Sequence, residues 1–532
     1  MSRMLRASAI MAAGTMVSRA TGFVRTMVLA AAIGTAALGD AYNAAYAIPY
    51  AILDLLLLGV LSSVVVPMIV KAHREDADGG RAYEQRLLTL TTLALIVVAV
   101  LAVWAAPLLI DLYTDWRPGE PKFEWAVTLA RFILPQLAFF GVGAVAGAIL
   151  NTRDRFAAPM WAPVLNNVVV IGVFVAYWVL GYGDTRPSGT ALALLGIGTT
   201  AGIVAQAVVL IVALKRVGFS FRPRLGLRGA RLGEMAGAGV WTIGYVIVTQ
   251  LGFVLITNLS SAAGDVVAGH GITPYTLAFQ LFQLPYGVIG VSVITAMLPR
   301  MSRSVGEGRL DEVRAEFGSG VRLIASVMVP VSLLLMVLGP AITVPLYARG
   351  ATSVADATYI GQVLQVYGMA LVPFAIFQML LRVFYAFGDT RTPVYVGTGT
   401  TAVMAALMVL FNSLVPPAYL VMALAFAYAV AYAVGAVIAW MLASRRVGGL
   451  GGWTIGSALT KMYVAALPTA LLALGAVWAS QRFFGSLTVL TSLIILAVGG
   501  GLGGALYLMI AHRMRIPEVN SIVGMVAGRV GR

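Results

Sequence analysis

The chain has 532 residues, of which 60% are hydrophobic and only 11% are charged. Ordinary soluble domains carry about 25% charged residues, so this composition excludes a soluble enzyme. The sequence has no cysteine, which excludes disulfides and thiolate metal sites. The formal net charge is +15. The positions of the basic residues decide whether this excess reflects membrane topology or nucleic-acid binding.

Apolar runs of about 20 residues or more, bounded by Gly, Pro or charged residues, occur fourteen times along the sequence. Lipid offers no hydrogen-bonding partner to open backbone, so each run is predicted to be a helix. The first run continues past Arg19 and Arg25 to Ile33, which favours a retained helix over a cleaved signal peptide. The fold class predicted is therefore an all-α polytopic membrane protein with 14 transmembrane helices. The runs centre near residues 20, 55, 100, 138, 170, 200, 246, 287, 333, 373, 403, 430, 470 and 499.

The basic residues are concentrated in alternate loops. Of the 36 Lys and Arg residues, 28 fall in the N-terminus, in every second loop and in the C-terminus, and only five fall in the opposite loops. The positive-inside rule then predicts that both termini are cytoplasmic. Topology and contact with anionic headgroups account for the basic excess, so we expect membrane lipids and no nucleic acid as partners.

An internal repeat divides most of the chain in two. Ala47–Tyr50 recurs as Gln283–Tyr286, with 236 residues between the prolines, and the turn before Pro159 recurs before Pro393, 234 residues on. About six helices separate equivalent positions, an even number, so the repeat is parallel. The sequence predicts two six-helix lobes around a central cavity, which suits a transporter, followed by two further helices. The three parts are residues 1–225, 226–445 and 446–532.

Enzymatic signatures are absent from the sequence. None of the four lysines follows a glycine, so no Walker A loop exists, and the three histidines lie in different loops or tails. Gly499, Gly501 and Gly504 match a dinucleotide-binding pattern by letter, but they lie inside the last apolar run. Close helix packing is the prediction there. We expect neither an enzyme nor a cofactor or metal site.

Ionisable residues inside apolar runs are the candidate functional residues, because they are costly in lipid. Arg19 lies near the middle of the first run and Arg25 six residues later, about 240° around a straight helix. Asp54 is the carboxylate deepest in any run, and Asp40 opens the same run. Either Arg19 and Asp54 form a buried ion pair, or the arginines bind phosphate in a hydrated cleft while Asp54 couples transport.

A short turn in a predicted cytoplasmic loop holds another oppositely charged pair, Asp389 and Arg391. Aspartate at such a position commonly forms the turn through its own backbone hydrogen bonds. The pair is therefore predicted either to form the turn or to act as a gate.

The segment Ser18–Arg25 resembles the SR-x-x-GF-x-R signature of the MurJ (MviN) lipid II flippases. Further similar segments include Gly147–Phe156 and Gly388–Pro393, in collinear order. The resemblance implies the fourteen-helix fold of the multidrug/oligosaccharidyl-lipid/polysaccharide exporter superfamily. It also implies transport of undecaprenyl-pyrophosphate-linked peptidoglycan precursor (lipid II) to the outer leaflet of a bacterial cell membrane. Arg19 and Arg25 then correspond to substrate-binding residues, Asp40 to a functional residue and the last two helices to a lipid-tail groove.

The sequence departs from the family pattern in the second and eighth runs. Uncharged residues replace cavity cations or their partners at Leu53, Leu58, Phe279 and Gln280, so the pyrophosphate would rest mainly on Arg19 and Arg25. The alternatives are a flippase for another polyprenyl-linked saccharide, a multidrug cation antiporter, and a transport-inactive scaffold for cell-wall synthesis or division proteins. Coupling is expected from the membrane potential or from a monovalent cation bound at Asp54 or Asp40.

Overall fold

The computed structural model describes residues 3–54, 66–76, 78–182, 186–225 and 232–520. Within these ranges the chain forms helices joined by turns, with no strand. The chain divides into two compact units, Met1–Ala262 and Ala263–Arg532.

The first unit contains ten helices among its described residues, the last of which runs across the unit boundary. A break at Ala105 separates the fourth from the fifth, and Leu134 and Pro135 separate the sixth from the seventh. The helices are α1 (Arg3–Ile33), α2 (Ala37–Leu53), α3 (Val66–Glu75), α4 (Arg81–Trp104), α5 (Ala106–Tyr113), α6 (Pro121–Ile133), α7 (Gln136–Thr152), α8 (Ala157–Val179), α9 (Gly189–Arg216) and α10 (Leu232–Val266).

The second unit contains nine α-helices among its described residues and two wider π-helical turns, Tyr286–Gly290 and Leu496–Leu502. Each π-helical turn joins two α-helices into one longer rod. The helices are α11 (Ile272–Pro285), α12 (Val291–Gly306), α13 (Leu310–Tyr347), α14 (Val354–Ala386), α15 (Arg391–Leu414), α16 (Pro417–Val447), α17 (Gly452–Phe484), α18 (Val489–Ile495) and α19 (Gly503–Arg513).

Thirteen helical stretches in the described residues are long and apolar enough to cross a membrane. Each contains the centre of one predicted apolar run, so the all-helical polytopic fold is confirmed. The remaining run, centred near residue 55, falls on α2 and on residues 55–65, which lie outside the described residues. The count of fourteen, the central cavity and the lobe boundaries at residues 225 and 445 stay predictions.

Helix ends follow local capping chemistry. Gly34 ends α1 with a φ of 72°, a left-handed conformation that glycine adopts at little cost. Ser353 starts α14 through a capping box, in which its hydroxyl accepts from the Asp356 N–H and the Asp356 carboxylate accepts from the Ser353 N–H. Two backbone donors that a helix start leaves open are satisfied in this way.

The internal repeat has a structural counterpart in two aromatic pairs. Tyr50 packs edge-on against Phe140 with ring centroids 5.2 Å apart, and Tyr286 packs edge-on against Phe374 at 4.8 Å. The two tyrosines are 236 residues apart and the two phenylalanines 234, which are the offsets of the repeat. Each unit therefore builds the same contact between its proline-containing helix and a later one.

The turns that follow the two phenylalanine helices also match. The Arg155 N–H donates to the Leu150 carbonyl at 2.9 Å, and the Asp389 N–H donates to the Phe384 carbonyl at 3.0 Å, 234 residues later. The fourth residue after each of these carbonyls is left-handed, Asp154 with a φ of 56° and Gly388 with a φ of 70°. Both turns are the same helix-ending motif, so the sequence match reflects a shared backbone.

The predicted packing role of the glycines in the last run is confirmed only in part. A Cβ at Gly499 would lie 3.0 Å from the Cα of Ala473 on α17, so this position does permit close helix packing. Positions Gly501 and Gly504 face no atom within 4 Å. A helix presents only part of its circumference to one neighbour, and these two glycines lie outside that part.

Two glycines lie where α13 crosses α14 in the second unit. A methyl group at Gly361 would overlap the backbone of Pro340, and one at Gly339 would overlap the carbonyl oxygen of Gly361. Backbone atoms cannot move aside as a flexible side chain can. The two glycines therefore set how closely the helices approach.

Gly361→Ala should destabilise the protein by about 1–3 kcal/mol, because overpacking forces the helices apart. Gly399→Ala is the matched control, since a Cβ at that α15 position meets no atom within 4 Å and alanine favours a helix. The effect of each substitution is measured by thermal unfolding of the detergent-solubilised variants and the parent protein. Equal unfolding midpoints for the two variants would contradict the assigned role of Gly361.

Candidate functional site

Arg25, in the second half of α1, is held by tyrosines of α2. Its Nη1 donates a hydrogen bond of 2.9 Å to the Tyr46 hydroxyl, and its guanidinium carbon lies 5.5 Å from the centroid of the Tyr46 ring. The Tyr46 hydroxyl is in turn 2.7 Å from that of Tyr50. Tyr42, Tyr46 and Tyr50 recur every four residues and so share one helix face. We call these three residues the tyrosine ladder.

Neighbouring helices fix the ladder at both ends. The Tyr42 hydroxyl is 2.9 Å from Oγ1 of Thr199 on α9, and the Tyr42 ring packs edge-on against Phe174 of α8 at 5.3 Å. The Tyr50 ring packs edge-on against Phe140 of α7. The position of the guanidinium therefore depends on contacts from several helices rather than on α1 alone.

The charge of Arg25 is oriented but not neutralised. Its side chain is half-buried, and no carboxylate among the described residues pairs with it. Tyrosine hydroxyls and rings carry no formal charge, and a guanidinium has five N–H donors. A cation in this environment is costly unless an anion or water accompanies it. The site is therefore chemically suited to an anionic group rich in oxygen.

Arg19 lies on a different face of the same continuous helix. Its side chain is exposed and forms no ion pair or hydrogen bond with a described residue. The alternative of a buried ion pair between Arg19 and Asp54 is not found. Asp54 instead accepts a long hydrogen bond of 3.5 Å from Nε2 of Gln250 on α10. The separation expected for Arg19 and Arg25 on a straight helix therefore holds.

An asparagine on α8 anchors α1 next to Arg19. Nδ2 of Asn167 donates to the Ser18 carbonyl at 3.1 Å and to Oγ1 of Thr21 at 3.0 Å. A Cβ at Gly22 would lie 3.5 Å from the same amide nitrogen, an ordinary van der Waals contact, so the anchor does not require a glycine at this position. Sequence reasoning missed Asn167, although an amide inside an apolar run was a usable signal.

The two candidate coupling carboxylates differ in accessibility. Asp40 is 1% exposed in the first turn of α2, where the positive end of the helix dipole stabilises a carboxylate. Asp54 is half-exposed at the opposite end of α2. A mobile cation could therefore reach Asp54 more readily than Asp40. The coupling roles of both residues stay predictions.

Asp389 forms the turn between α14 and α15. One carboxylate oxygen accepts from the Arg391 and Thr392 N–H groups at 3.0 Å each, and the other accepts from the Thr392 hydroxyl at 2.8 Å. Nη1 of Arg446, at the end of α16, lies 3.3 Å from the second oxygen. Burial alone would raise the pKa of Asp389, but the hydrogen bonds from Thr392 and Arg391 and the Arg446 charge together lower it. These contacts match the predicted turn, and the gate role stays a prediction.

A buried charge cluster in the first unit was not predicted. Glu84, at the start of α4, is fully buried, with one carboxylate oxygen 2.5 Å from Nη2 of Arg153 and the other 2.9 Å from Nε2 of His73. The Arg153 guanidinium also lies over the Phe219 ring at 5.7 Å. Unlike Arg25, Arg153 is therefore paired with a carboxylate. The cluster joins α3, α4, the end of α7 and the segment after α9.

The positions that depart from the family pattern differ in what surrounds them. Leu53 ends α2, Gln280 is half-buried on α11, and Leu58 lies outside the described residues. Phe279 is half-buried among aromatic rings rather than beside a charge. Its ring neighbours are Tyr275, Phe282, Tyr367 and Tyr428.

The apolar helices and the unneutralised Arg25 define a polytopic membrane protein of transporter type. The fold matches the solved structure "Lipid II flippase MurJ, inward closed conformation" with a TM-score of 0.75 at 17% identity, covering 95% of this chain and 99% of the other. It also matches an inward-facing multidrug resistance transporter of the MATE family and MOP superfamily with a TM-score of 0.67 at 14% identity, covering 81% and 94%. At these identities the likeness concerns the fold alone.

The sequence identifies the family. The profile described as "Lipid II flippase MurJ" matches residues 29–498, so the chain belongs to the MurJ lipid II flippase family. A "Probable lipid II flippase MurJ" of Rhizobium meliloti (strain 1021) is 30% identical over 407 residues, covering 75% of this chain and 74% of its own. One from Synechocystis sp. (strain ATCC 27184 / PCC 6803 / Kazusa) is 28% identical over 462 residues, covering 84% and 83%. Arg19 and Arg25 precede the matched segment, and their binding roles stay predictions.

Asp389→Ala should destabilise the protein by about 1 kcal/mol, the usual loss for a helix-start cap. Asp389→Asn is the matched variant, because it keeps one oxygen to accept from the Arg391 and Thr392 N–H groups and removes the charge together with the second acceptor oxygen, which faces the Thr392 hydroxyl and Arg446. The lowered pKa means that this charge stabilises the fold above the ordinary aspartate pKa and that the stabilisation is lost as pH falls through the folded pKa. Thermal midpoints measured from pH 7 down to pH 3 should therefore decline less for Asp389→Asn than for the parent. Identical pH profiles would rule out the charge contribution.

Proposed function

We propose that this protein flips lipid II from the cytoplasmic to the outer leaflet of a bacterial plasma membrane by alternating access. Membership of the MurJ family over residues 29–498 supports the substrate. Multidrug transporters that share the fold have been solved in inward-facing and outward-facing conformations, which supports alternating access. The concentration of basic residues in alternate loops supports cytoplasmic termini.

The observation that carries the proposal is the half-buried Arg25, with which no carboxylate pairs in the part of the chain that the structure describes. A diphosphate headgroup cannot enter hydrocarbon unaided, because removing its charges from water is prohibitively costly. A guanidinium held by the tyrosine ladder replaces part of that water with fixed donors. Only one hydrogen bond joins the guanidinium to a described residue, so its other N–H groups are available to phosphate oxygens.

Arg19 is proposed to act as a second, more exposed cation. It lies about 9 Å from Arg25 along the helix axis at 1.5 Å per residue, on another face of α1. An exposed guanidinium attracts a headgroup at longer range but binds it weakly, because water screens the charge. Arg19 therefore captures the headgroup, and Arg25 retains it while the prenyl tail stays in lipid.

The membrane potential is proposed to drive export. An inside-negative potential favours outward movement of an anion by about 2.3 kcal/mol per charge per 100 mV. The return of an empty, positively charged site opposes the same field unless a cation-binding carboxylate changes the balance. Asp54 suits that role better than Asp40, because Asp54 is half-exposed and its bond to Gln250 is long.

Arg25→Ala should weaken binding of the diphosphate headgroup by about 10- to 100-fold, the usual worth of a hydrogen bond to a charged group. It should also abolish growth of a cell depleted of its own flippase. Arg19→Ala should reduce growth in the same assay. Arg445→Ala is the matched control, since Arg445 is an exposed arginine at the end of α16. Complementation is measured together with the lipid-linked precursor that accumulates on the inner leaflet.

The accumulated lipid separates the competing functions. Accumulation of lipid II in cells that carry only Arg25→Ala supports the proposal. Accumulation of a different polyprenyl-linked saccharide would assign the chain to that substrate, and full growth of both arginine variants would contradict the site. If the parent protein restores normal growth to the depleted cell but does not flip lipid when purified, the result would favour a scaffold role.

Flipping in vesicles should accelerate when an inside-negative potential is imposed. Asp54→Asn should reduce the response to an imposed cation gradient more than the response to the potential, because it removes the proposed ion ligand. Gln250→Ala serves as the control that removes the neighbour and keeps the carboxylate. Flipping that is indifferent to both gradients would refute the coupling.

A further inference from the structure

A second site lies in the first unit, away from the tyrosine ladder. A cavity of about 690 Å³ opens between the C-terminal end of α7, the turn into α8 and the C-terminal part of α9. Its volume lies within the usual range for small-molecule sites, about 300–1,000 Å³. The family-derived roles concern α1, α2 and the last two helices, so nothing derived above accounts for this cavity.

The wall of the cavity is aliphatic and continues onto an exposed surface. Val208 and Val212 of α9 line the cavity and are 50% and 41% exposed, and Ala213 and Leu150 complete the same wall. The exposed valines belong to the candidate membrane span Gly189–Arg216. Aliphatic side chains exposed on such a span are chemically suited to contact acyl chains, which are as apolar as they are. One side of the cavity can therefore accept a hydrocarbon chain from the bilayer.

The rim of the cavity is cationic. Arg155 and Arg216 line it at the ends of neighbouring candidate spans, both are exposed, and neither forms an ion pair with a described residue. The neighbouring Arg153 is paired with Glu84 and is not part of the lining. Asp154 is the one carboxylate among the lining residues, so two cations and one anion leave the rim with a net charge of +1.

We propose that this cavity binds an anionic glycerophospholipid, with the phosphodiester between Arg155 and Arg216 and one acyl chain along the valines of α9. A net positive rim at a helix end, at headgroup level, favours a headgroup of net charge −1 over a zwitterionic one. The chain itself offers no equivalent occupant in residues 226–231 or 521–532, which carry arginines and no acidic residue. This inference does not rest on the proposed flipping of lipid II. It makes the headgroup composition of the membrane decide whether this second site is occupied.

The test titrates the purified, delipidated full-length protein with phosphatidylglycerol and with phosphatidylethanolamine, and counts bound lipids by native mass spectrometry. Arg155→Gln and Arg216→Gln should each weaken phosphatidylglycerol binding roughly fivefold, the usual contribution of a basic side chain near an anionic lipid surface. Arg445→Gln, an exposed arginine outside the cavity, is the matched control. An equal loss in the control, or no loss in either rim variant, would overturn the proposal.

Two further variants test the cavity and the headgroup. Val212→Phe fills the aliphatic wall without changing charge and should also weaken binding severalfold, whereas surface attraction alone would leave it unchanged and sink the cavity assignment. Asp154→Asn should strengthen phosphatidylglycerol binding, because it removes the repelling charge and asparagine tolerates the left-handed backbone of this residue. If Asp154→Asn instead weakens binding and phosphatidylethanolamine is preferred, the occupant is zwitterionic and the proposal fails. Each variant is confirmed to be folded when it elutes from a sizing column at the same volume as the parent protein.

Discussion

A guanidinium inside a membrane span is held by a neutral hydroxyl and an aromatic ring, and the site depends on this arrangement. If a carboxylate held Arg25, the pair would be close to neutral and would attract a headgroup weakly. The tyrosine ladder instead fixes the cation through one hydroxyl and one ring face, and both leave its charge uncancelled. The position of the ladder in turn depends on Thr199, Phe174 and Phe140 from three other helices. The Arg25 guanidinium is therefore held in a defined position while its charge stays available to an anion.

The contrast between Arg25 and Arg153 shows that arginine has two different roles within one unit. Arg153 meets the buried Glu84 carboxylate, which also contacts His73, so its charge is used to join helices. Arg25 meets no described carboxylate and lies among groups that can be exchanged for phosphate oxygens without leaving a buried acid unpaired. Removing one partner of a buried pair is strongly destabilising. A headgroup that bound the Arg153 guanidinium would displace the buried Glu84 carboxylate and disrupt the fold each time the substrate bound, whereas one that bound Arg25 would not.

Local patterns in the sequence predicted local structure well and long-range pairing poorly. The apolar runs located thirteen spans, and the offset of 234 residues located two turns with the same backbone. Arg25 was identified because an arginine in an apolar run is costly wherever its side chain points. The Glu84 cluster was missed because its partners lie 11 and 69 residues away, and no periodicity connects them. The Arg19–Asp54 pair, one of two alternatives that the sequence left open, is not formed, and the related reason is that spacing along one helix does not say which side chains of a second helix it meets.

The tyrosine ladder was visible in the sequence as a spacing of four, yet its function depends on α1. Three tyrosines on one face of α2 could equally well pack against lipid or against other rings. What gives them a role is Asn167, which holds α1 through the Ser18 carbonyl and the Thr21 hydroxyl. These two contacts lie on either side of Arg19 in the sequence, and both precede Arg25. An amide on α8 thus holds the helix that carries Arg25, while Phe174 of α8 packs against Tyr42 of the ladder, and this relation becomes readable only once the two helices are seen to share α8 as a neighbour.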